Sequence, residues 1–150
     1  VANGDIDSPE KARGVLRHTG ADAIIIGRAA QGQPWIFREI AWFLKTGTHL
    51  LPPTIAEVRS IASEHLQNLY TFYGEGKGHR IARKHIGWYL ADAPGGELFR
   101  QQMNLLDTAT TQHAAVLCFL NELEAQGHLF FRFGDNINTP FSPDQLQSAA

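Results

Sequence analysis

Two glycine-containing loops stand at positions where an α/β protein binds a ligand. Asn3-Gly4-Asp5 follows the apolar start of the chain, and Gly27-Arg28-Ala29 follows the apolar run at 23–26. Ligands of α/β folds bind outside the carboxyl ends of the strands, where free backbone N–H groups and a helix dipole attract phosphate. Arg28 adds a cation, and glycine has no Cβ to block a ligand. The same residues also suit ordinary strand-to-helix turns, so the spacing leaves both interpretations open.

A second group of residues places four cations on one face of a predicted helix. At 100° per residue they fall within roughly a 120° arc, with Gly87 in its middle. The four cations are Lys77, Arg80, Arg83 and Lys84. Because apolar residues such as Ile86 and Tyr89 lie opposite, packing is predicted to point the cations outward. They suit a phosphate backbone, with Trp88 placed to stack on a base, although a merely solvated helix face is the alternative.

Other reactive side chains form no recognisable catalytic set. The seven histidines do not recur at metal-ligand spacing, so we assign no metal. His85 falls on the apolar side of the cationic helix, which favours a core histidine over an RNA contact. Cys118 stands between Leu117 and Phe119 in an apolar helix and is predicted to be a buried, inert thiol. No Ser–His–acid arrangement is supported, and we predict no catalytic residue in this sequence.

The elements that position the two loops are predicted to form a βαβ unit followed by a helix. Val1–Asn3 is the end of a strand, and Ser8 is a good N-cap for a helix over 9–18. The run at 23–26 lacks alternation, as in a strand buried on both faces of a parallel sheet. A second helix is predicted over 34–45, with a proline at its start.

The remainder of the pattern is helical. The segment 50–53 contains two prolines and is predicted to be a stiff linker and a domain boundary. Thr54 and Glu57 form a capping box for the next helix. The glycines at 74–78 predict a loop. Three further helices are predicted over 79–91, 97–107 and 111–126. Residues 127–150 form a tail that either packs back on the chain or is partly disordered.

Composition limits the classes of protein. The chain has 150 residues, 43% hydrophobic and 19% charged, which allows one well-packed core and argues against wholesale disorder. One cysteine excludes an internal disulfide, and the apolar runs fall far short of the ~20 residues of a membrane helix. Net charge is +2 over 1–100 and −4 over 101–150, so a nucleic-acid surface must be local. The start at Val1, without an initiator Met, predicts a piece of a longer protein.

Four motifs carry a family resemblance. They are Val1–Ile6, Gly20–Gly32, Pro34–Ile40 and Arg80–Leu90. In this order they resemble the bacterial tRNA-dihydrouridine synthases, and the B-type branch is the best match. The likeness covers roughly residues 1–125. Because several motifs occur in order, it is more specific than any single glycine-rich loop, and it favours the ligand-loop and RNA-face interpretations.

The resemblance implies a fold of two classes, α/β plus all-α. Residues 1–50 are expected to be the C-terminal βαβα end of an FMN-binding TIM (β/α)₈ barrel, with strands 7 and 8 and their helices. Residues 51–126 are expected to be a helical-bundle domain that binds tRNA. The tail at 127–150 does not resemble the family.

The resemblance also assigns site residues. Asn3, Gly4 and Asp5 match the flavin-binding loop after strand 7, and Gly27 and Arg28 match the loop that holds the FMN phosphate. The predicted RNA-binding residues are Lys77, Arg80, Arg83 and Lys84, of which the last three lie in the stretch that matches the tRNA-facing helix.

For the whole enzyme, the resemblance implies that NADPH reduces FMN, which passes a hydride to the C5=C6 bond of a flipped-out uridine in tRNA. A cytoplasmic location is expected, with neither a membrane nor a metal as a partner. The family's catalytic acid is a cysteine in an Asn-x-Gly-Cys-Pro loop, which this sequence lacks and which Cys118 does not match. We therefore expect the isolated chain to be inactive.

Three alternatives stay open at this point. The chain is the end of another FMN barrel enzyme that acts on a small molecule, a non-enzymatic helical RNA-binding module, or an inert fragment. The first predicts that tRNA affinity does not respond to Arg83 and Lys84. The second predicts salt-sensitive RNA binding by 54–126 without any dependence on flavin.

Overall fold

A parallel pair of strands and six helices make up residues 1–128, the part of the chain that the computed structural model describes. The strands are β1 (Ala2–Asn3) and β2 (Ile24–Ile25), and a single 3₁₀ turn follows β2 at Arg28–Ala30. The helices are α1 (Pro9–Thr19), α2 (Ile36–Thr46), α3 (Ile55–Tyr73), α4 (Glu75–Tyr89), α5 (Gly96–Met103) and α6 (Ala109–Ala125). Apart from Gly127 and His128, the predicted tail lies outside the described residues.

Helix α1 begins and ends where the sequence predicts. The Ser8 side chain accepts a hydrogen bond from the Lys11 N–H at 3.3 Å, and Pro9 occupies the first helical position. Gly20 ends the helix in the left-handed conformation, with φ of 65°. Each signal acts within one helical turn, which is why a sequence pattern is sufficient to predict it.

Strands β1 and β2 confirm the predicted βαβ unit. They pair in parallel, with Ala2 opposite Ile24 and Asn3 opposite Ile25, and α1 connects them. The prediction that the second strand is buried on both faces is wrong for the described residues. Ile24 and Ile26 pack on the helices, whereas Ile25, which points to the other face, is 54% exposed. The cluster that covers the inner face consists of Ile6, Ala12, Ile36 and Ile40.

Helices α3, α4 and α6 share one hydrophobic core. Helix α3 packs against both α4 and α6, and α5 packs against α4. The predicted capping box opens α3: the Glu57 N–H donates to Thr54 Oγ1 at 3.2 Å, and the Thr54 N–H donates to Glu57 Oε2 at 2.9 Å. The buried members of the core include Val58, Leu66, Ala82, Ile86, Leu90, Met103, Val116 and Leu120.

The predicted loop at 74–78 is wrong, because α4 already begins at Glu75. Only Gly74, with φ of 74°, breaks the chain between α3 and α4. Gly78 has a packing role instead, since a Cβ there would lie 2.9 Å from the Tyr70 Cα. Glycines weigh against a helix in isolation, but here a close approach of two helices overrides that preference.

Other helix boundaries also differ from the prediction by a few residues. Helix α5 ends at Met103 rather than at 107, because a tight turn follows in which the Leu106 N–H donates to the Met103 carbonyl at 3.1 Å. Thr108 then caps α6 by accepting from the Thr111 N–H at 3.1 Å. Helix α2 begins at Ile36, two residues after the predicted start.

The α/β unit is in contact with α3 to α6, the mutually packed helices that are here called the helical bundle. Trp35, which precedes α2, belongs to the core of the bundle and lies 6.3 Å from the Tyr89 ring. Gly32 has φ of 75° and leaves no room for a side chain, because a Cβ would lie 2.3 Å from the Trp88 carbonyl. The boundary at 50–53 stays a prediction, but these contacts join the segments on either side of it. Across residues 1–128, no helix has both the length and the apolar character that a membrane span requires.

Candidate functional site

The two predicted ligand loops meet at one edge of the strand pair. They line an open cavity of about 870 Å³, here called the strand-end opening. Its lining includes Asn3, Gly4, Asp5, Lys11, Gly27 and Arg28. Parallel pairing of β1 with β2 brings the two loops together, as expected for strands whose carboxyl ends share an edge.

Charges at the strand-end opening are balanced. The Arg28 guanidinium donates to the Asp5 carboxylate, and Lys11 lies 3.4 Å from the Asp7 carboxylate. The Arg28 and Asp5 side chains are 81% and 73% exposed, and exposed ion pairs of this kind are weak. A phosphate can therefore replace Asp5 as the partner of Arg28 at small cost, which makes the residues present compatible with a phosphate group.

The two glycines of the opening have different roles. Gly4 has φ of 146°, a conformation that side chains rarely adopt, whereas Gly27 has an ordinary negative φ of −107°. A Cβ at either position would meet nothing within 4 Å. A Cβ at Gly27 would therefore meet no atom of the described residues, and the space beside its backbone is open to a ligand.

Helix α4 presents the predicted cationic face. Lys77, Arg80 and Lys84 are exposed, as predicted. Arg83 differs: it is half-buried, its Nη2 donates to the Leu106 carbonyl at 3.1 Å, and its buried Nε has no hydrogen-bond partner among residues 1–128. The helical arc predicts the direction of Arg83 but not the α5–α6 connection that packs beside it.

A groove between α4 and α5 gathers part of this cationic face. It has a volume of about 490 Å³ and is here called the α4–α5 groove. Its lining includes Arg83, Lys84, Gly87, Trp88, Glu97, Arg100 and Asn104. The Lys84 Nζ lies 5.1 Å from the centre of the Trp88 ring, a cation–π distance. The groove thus combines a flat aromatic ring with three cations.

Sequence reasoning missed Arg100, the cation that α5 adds to the groove. It stands outside the basic stretch of α4, and its own surroundings in the sequence carry no RNA-binding pattern. The one available signal is Gly87, since a Cβ there would lie 3.3 Å from the Arg100 Cδ. A small residue in the middle of a cationic face marks the place where another chain segment crosses that face.

Histidines line the side of α4 next to the groove. His85 is half-buried rather than a core residue, with its ring 4.9 Å from that of His65 and 5.0 Å from that of Trp88. Burial lowers the pKa of both histidines, and for His85 the nearby His65 and Lys84 lower the pKa further. Both rings are therefore neutral at pH 7 and add no charge to the groove.

Cys118 corrects another prediction. It is exposed rather than buried, because it lies on the outer face of α6. Its Sγ–H donates to Glu122 Oε1 at 3.5 Å, and this hydrogen bond and the carboxylate charge raise the pKa of the thiol. A protonated thiol is a weak nucleophile, so the geometry does not favour catalysis by Cys118. No cluster of His, Cys, Asp and Glu that would hold a metal ion occurs within residues 1–128.

The fold and the site together define a class: an α/β unit with a polar opening at its strand ends, packed on a helical bundle that carries a cationic groove. The family follows from comparison. The dihydrouridine synthase family model matches residues 1–124, and the chain belongs to this family. The family implies a TIM barrel, and the parallel βαβα unit is consistent with a part of one.

Curated relatives support the same family. The chain is 58% identical over 126 residues to tRNA-dihydrouridine synthase B of Pseudomonas aeruginosa, covering 84% of this chain and 38% of that protein. It is also 58% identical over 121 and 123 residues to the proteins of the same name from Pseudomonas putida and Shewanella oneidensis, covering 81% and 82% of this chain. The chain spans only 36–38% of the length of these relatives.

Proposed function

We propose that this chain is the part of a tRNA-dihydrouridine synthase that contributes one side of the FMN site and the surface that holds tRNA. The observation that carries the proposal is the α4–α5 groove, where cations and an aromatic ring lie together in a chain of the dihydrouridine synthase family. The proposed enzyme works in the cytoplasm and reduces a uridine of tRNA to 5,6-dihydrouridine.

The strand-end opening is the proposed flavin side. Arg28 binds the FMN phosphate after release from Asp5, and the open backbone at Gly27 lets the phosphate approach its N–H groups. Asn3 and Gly4 lie on the neighbouring loop and border the same cavity. When bound, FMN supplies hydride transfer to the uridine C5=C6 bond, with NADPH as the reductant.

The contribution of this chain is to position the substrate rather than to move protons. The sequence contains no Asn-x-Gly-Cys-Pro loop, and the exposed, protonated Cys118 is not a substitute for that cysteine. The isolated chain, incubated with FMN, NADPH and tRNA, is expected to form no dihydrouridine. Detection of dihydrouridine by mass spectrometry of the digested tRNA would contradict this assignment.

The cationic face of α4 is the proposed tRNA side. Lys77, Arg80 and Lys84 bind phosphates along the RNA backbone, and Arg83 holds the α5–α6 connection while it faces the groove. Trp88 offers its ring to an unstacked base. Recognition of this kind depends on the shape of the RNA and on its phosphates more than on its sequence.

Binding of unfractionated bacterial tRNA to the 150-residue chain tests the proposal. The double variant R80Q/K84Q is expected to bind about tenfold more weakly, and its salt dependence is expected to fall by about two phosphate contacts. The matched control R17Q/K45Q also removes two exposed cations, but from α1 and α2, and is expected to bind as the unmodified chain does. An equal loss in both double variants would contradict a tRNA surface on α4.

A further inference from the structure

Close packing of α5 on the end of α4 places Arg100 beside the α4–α5 groove. The first residue of α5 is pressed against the end of α4, since a Cβ at Gly96 would lie 2.1 Å from the Leu90 carbonyl oxygen. One turn later along α5, the Arg100 side chain lies against α4 at Gly87, where a Cβ would come within 3.3 Å of its Cδ. The aliphatic part of the Arg100 side chain therefore lies against α4, and its guanidinium lines the same groove as Lys84 and Trp88.

Within the groove, Arg100 is already paired with an acid. Its Nε donates to Glu97 Oε2 at 3.0 Å, and its Nη2 donates to Glu97 Oε1 at 2.8 Å. The hydrogen bonds from Arg100, followed by one from Gln101, hold the pKa of Glu97 below its usual range. Glu97 is thus a carboxylate at physiological pH and neutralises the guanidinium that it holds.

A carboxylate such as that of Glu97 is also unexpected in a surface that binds a polyanion, because it repels phosphate. The residues that line the groove include the cations Arg83, Lys84 and Arg100, and Glu97 is the acid among them. A carboxylate and a phosphate present the same pair of oxygens to the arginine fork, so each of them can occupy the place of the other. Both side chains of the pair remain accessible, at 49% exposure for Arg100 and 65% for Glu97.

We propose that Arg100 is a further tRNA-phosphate-binding residue and that Glu97 competes with the phosphate for it. This inference rests on the proposed function, because it gives the same RNA surface one more cation and an internal competitor. A phosphate placed beside Lys84 exchanges with Glu97 for the Arg100 fork, and Gln101 remains next to the released carboxylate.

Competition from Glu97 makes the groove more selective among RNAs and lowers its affinity for all of them. Any polyanion that approaches the groove meets an Arg100 guanidinium whose charge Glu97 already neutralises, which weakens non-specific binding. An RNA whose shape places a phosphate between Lys84 and Arg100 displaces Glu97 and gains the additional contact. The groove therefore favours a correctly seated tRNA over other RNA.

A double-mutant cycle on the 150-residue chain tests the competition, with unfractionated bacterial tRNA as the probe and salt concentration as the variable. The E97Q variant is expected to bind about two- to threefold more tightly, and its salt slope is expected to steepen by about one contact. The R100Q variant is expected to bind about threefold more weakly, and E97Q/R100Q is expected to resemble R100Q.

Three controls complete the cycle. E64Q removes the same unit of charge from an exposed position of α3 and is expected to leave binding unchanged. K84Q reports whether the surface binds tRNA at all. Thermal unfolding of each variant verifies that the helical bundle is intact.

The outcomes separate this inference from the proposed function. If K84Q weakens binding but E97Q does not tighten it, or if E97Q tightens it equally in the R100Q background, the competition is overturned. An equal gain from E64Q also overturns it, because charge alone would then account for the effect. If K84Q has no effect, the tRNA surface itself is wrong, and the competition fails with it.

Discussion

The strand-end opening and the α4–α5 groove each hold one arginine paired with one acid, but the two arginines are supported differently. Arg28 stands on a three-residue 3₁₀ turn with its side chain 81% exposed. Arg100 stands on an eight-residue helix, 49% exposed, and lies against α4 at Gly87. The α4–α5 groove is therefore built on a helix that packs against its neighbour, whereas the strand-end opening consists of loops that border a cavity from one side.

The support beneath the two sites differs in the same way. Below the groove is a continuous core of three long helices, and Leu66 at its centre is fully buried. Beneath the opening, two strands of two residues pack on a small cluster, and Ile25 is exposed on the outer face. Stability is therefore expected to be concentrated in the helical bundle.

The largest effect is expected from a cavity in the core of the bundle. Leu66→Ala is expected to lower the free energy of unfolding by about 2–5 kcal/mol, because a fully buried side chain leaves a void between packed helices. Ile25→Ala is expected to lower it by less than about 0.5 kcal/mol, as for other exposed positions. Urea unfolding followed by circular dichroism measures both, and equal losses would contradict the contrast between the two regions.

A buried acid on α2 is expected to give the next largest effect. Glu39 is 5% exposed, its Oε2 has no hydrogen-bond partner within residues 1–128, and burial raises its pKa from 4.5 to about 7, against a smaller opposing effect of Arg38. The folded chain binds the Glu39 proton more tightly than the unfolded chain does, so protonation of Glu39 stabilises the fold. This stabilisation is complete below pH 4.5. It is lost as the pH rises through about 7.

In the unmodified chain the free energy of unfolding lost in this way amounts to roughly 2–4 kcal/mol at pH 8. Glu39→Gln is expected to abolish this loss. The measurement is the free energy of unfolding from pH 4.5 to pH 8 for the variant and for the unmodified chain. Glu64→Gln, on the exposed side of α3, is the matched control for the removal of one carboxylate. A Glu39→Gln profile that parallels that of the unmodified chain would show that the carboxyl is not desolvated.

Alanine substitutions at two glycines of α4 are expected to have smaller effects on stability, and the two effects are expected to be opposite in sign. Gly78→Ala brings a Cβ within 2.9 Å of the Tyr70 Cα and is expected to destabilise the bundle by about 1–3 kcal/mol. Gly76→Ala, in the same helix, meets nothing within 4 Å and is expected to stabilise it by about 0.5 kcal/mol. Thermal unfolding measures both variants. Destabilisation of similar size by both would mean that 74–78 acts as the loop that the sequence predicts.

Local signals explain which elements the sequence is able to predict. The cap at Ser8, the capping box of Thr54 and Glu57, and the stop at Gly20 each depend on residues within one turn. A single sequence contains all of that information. The cationic face of α4 is predictable for the same reason, because helical periodicity places Lys77, Arg80 and Lys84 on one side.

Features that depend on contacts between distant segments cannot be predicted from local sequence patterns. Gly78 signals a loop by composition, and only the approach of α3 makes it a packing residue. Cys118 stands in an apolar stretch, yet it faces outward because the core side of α6 is occupied by Val116, Leu120 and Leu123. Arg100 joins the groove through a contact between α5 and α4, which no spacing in the sequence contains.

The strand-end opening illustrates a different limit. Local pattern is sufficient to predict that Gly4 and Gly27 lie in loops after parallel strands, and the pairing of β1 with β2 confirms that the loops meet. The assignment of these loops to FMN depends on the family resemblance, since the charges in the opening itself are balanced and do not identify a ligand.

Site-directed photocross-linking to tRNA tests the central claim, that the α4–α5 groove is the RNA surface, most directly. The chain has one cysteine, Cys118, which is exposed and does not line the groove. A cross-linker on Asn104→Cys in a Cys118→Ser background probes the groove, and the same cross-linker on the native Cys118 is the matched control. The account predicts that tRNA cross-links to position 104 and not to position 118, and cross-linking of equal yield at both positions would contradict it.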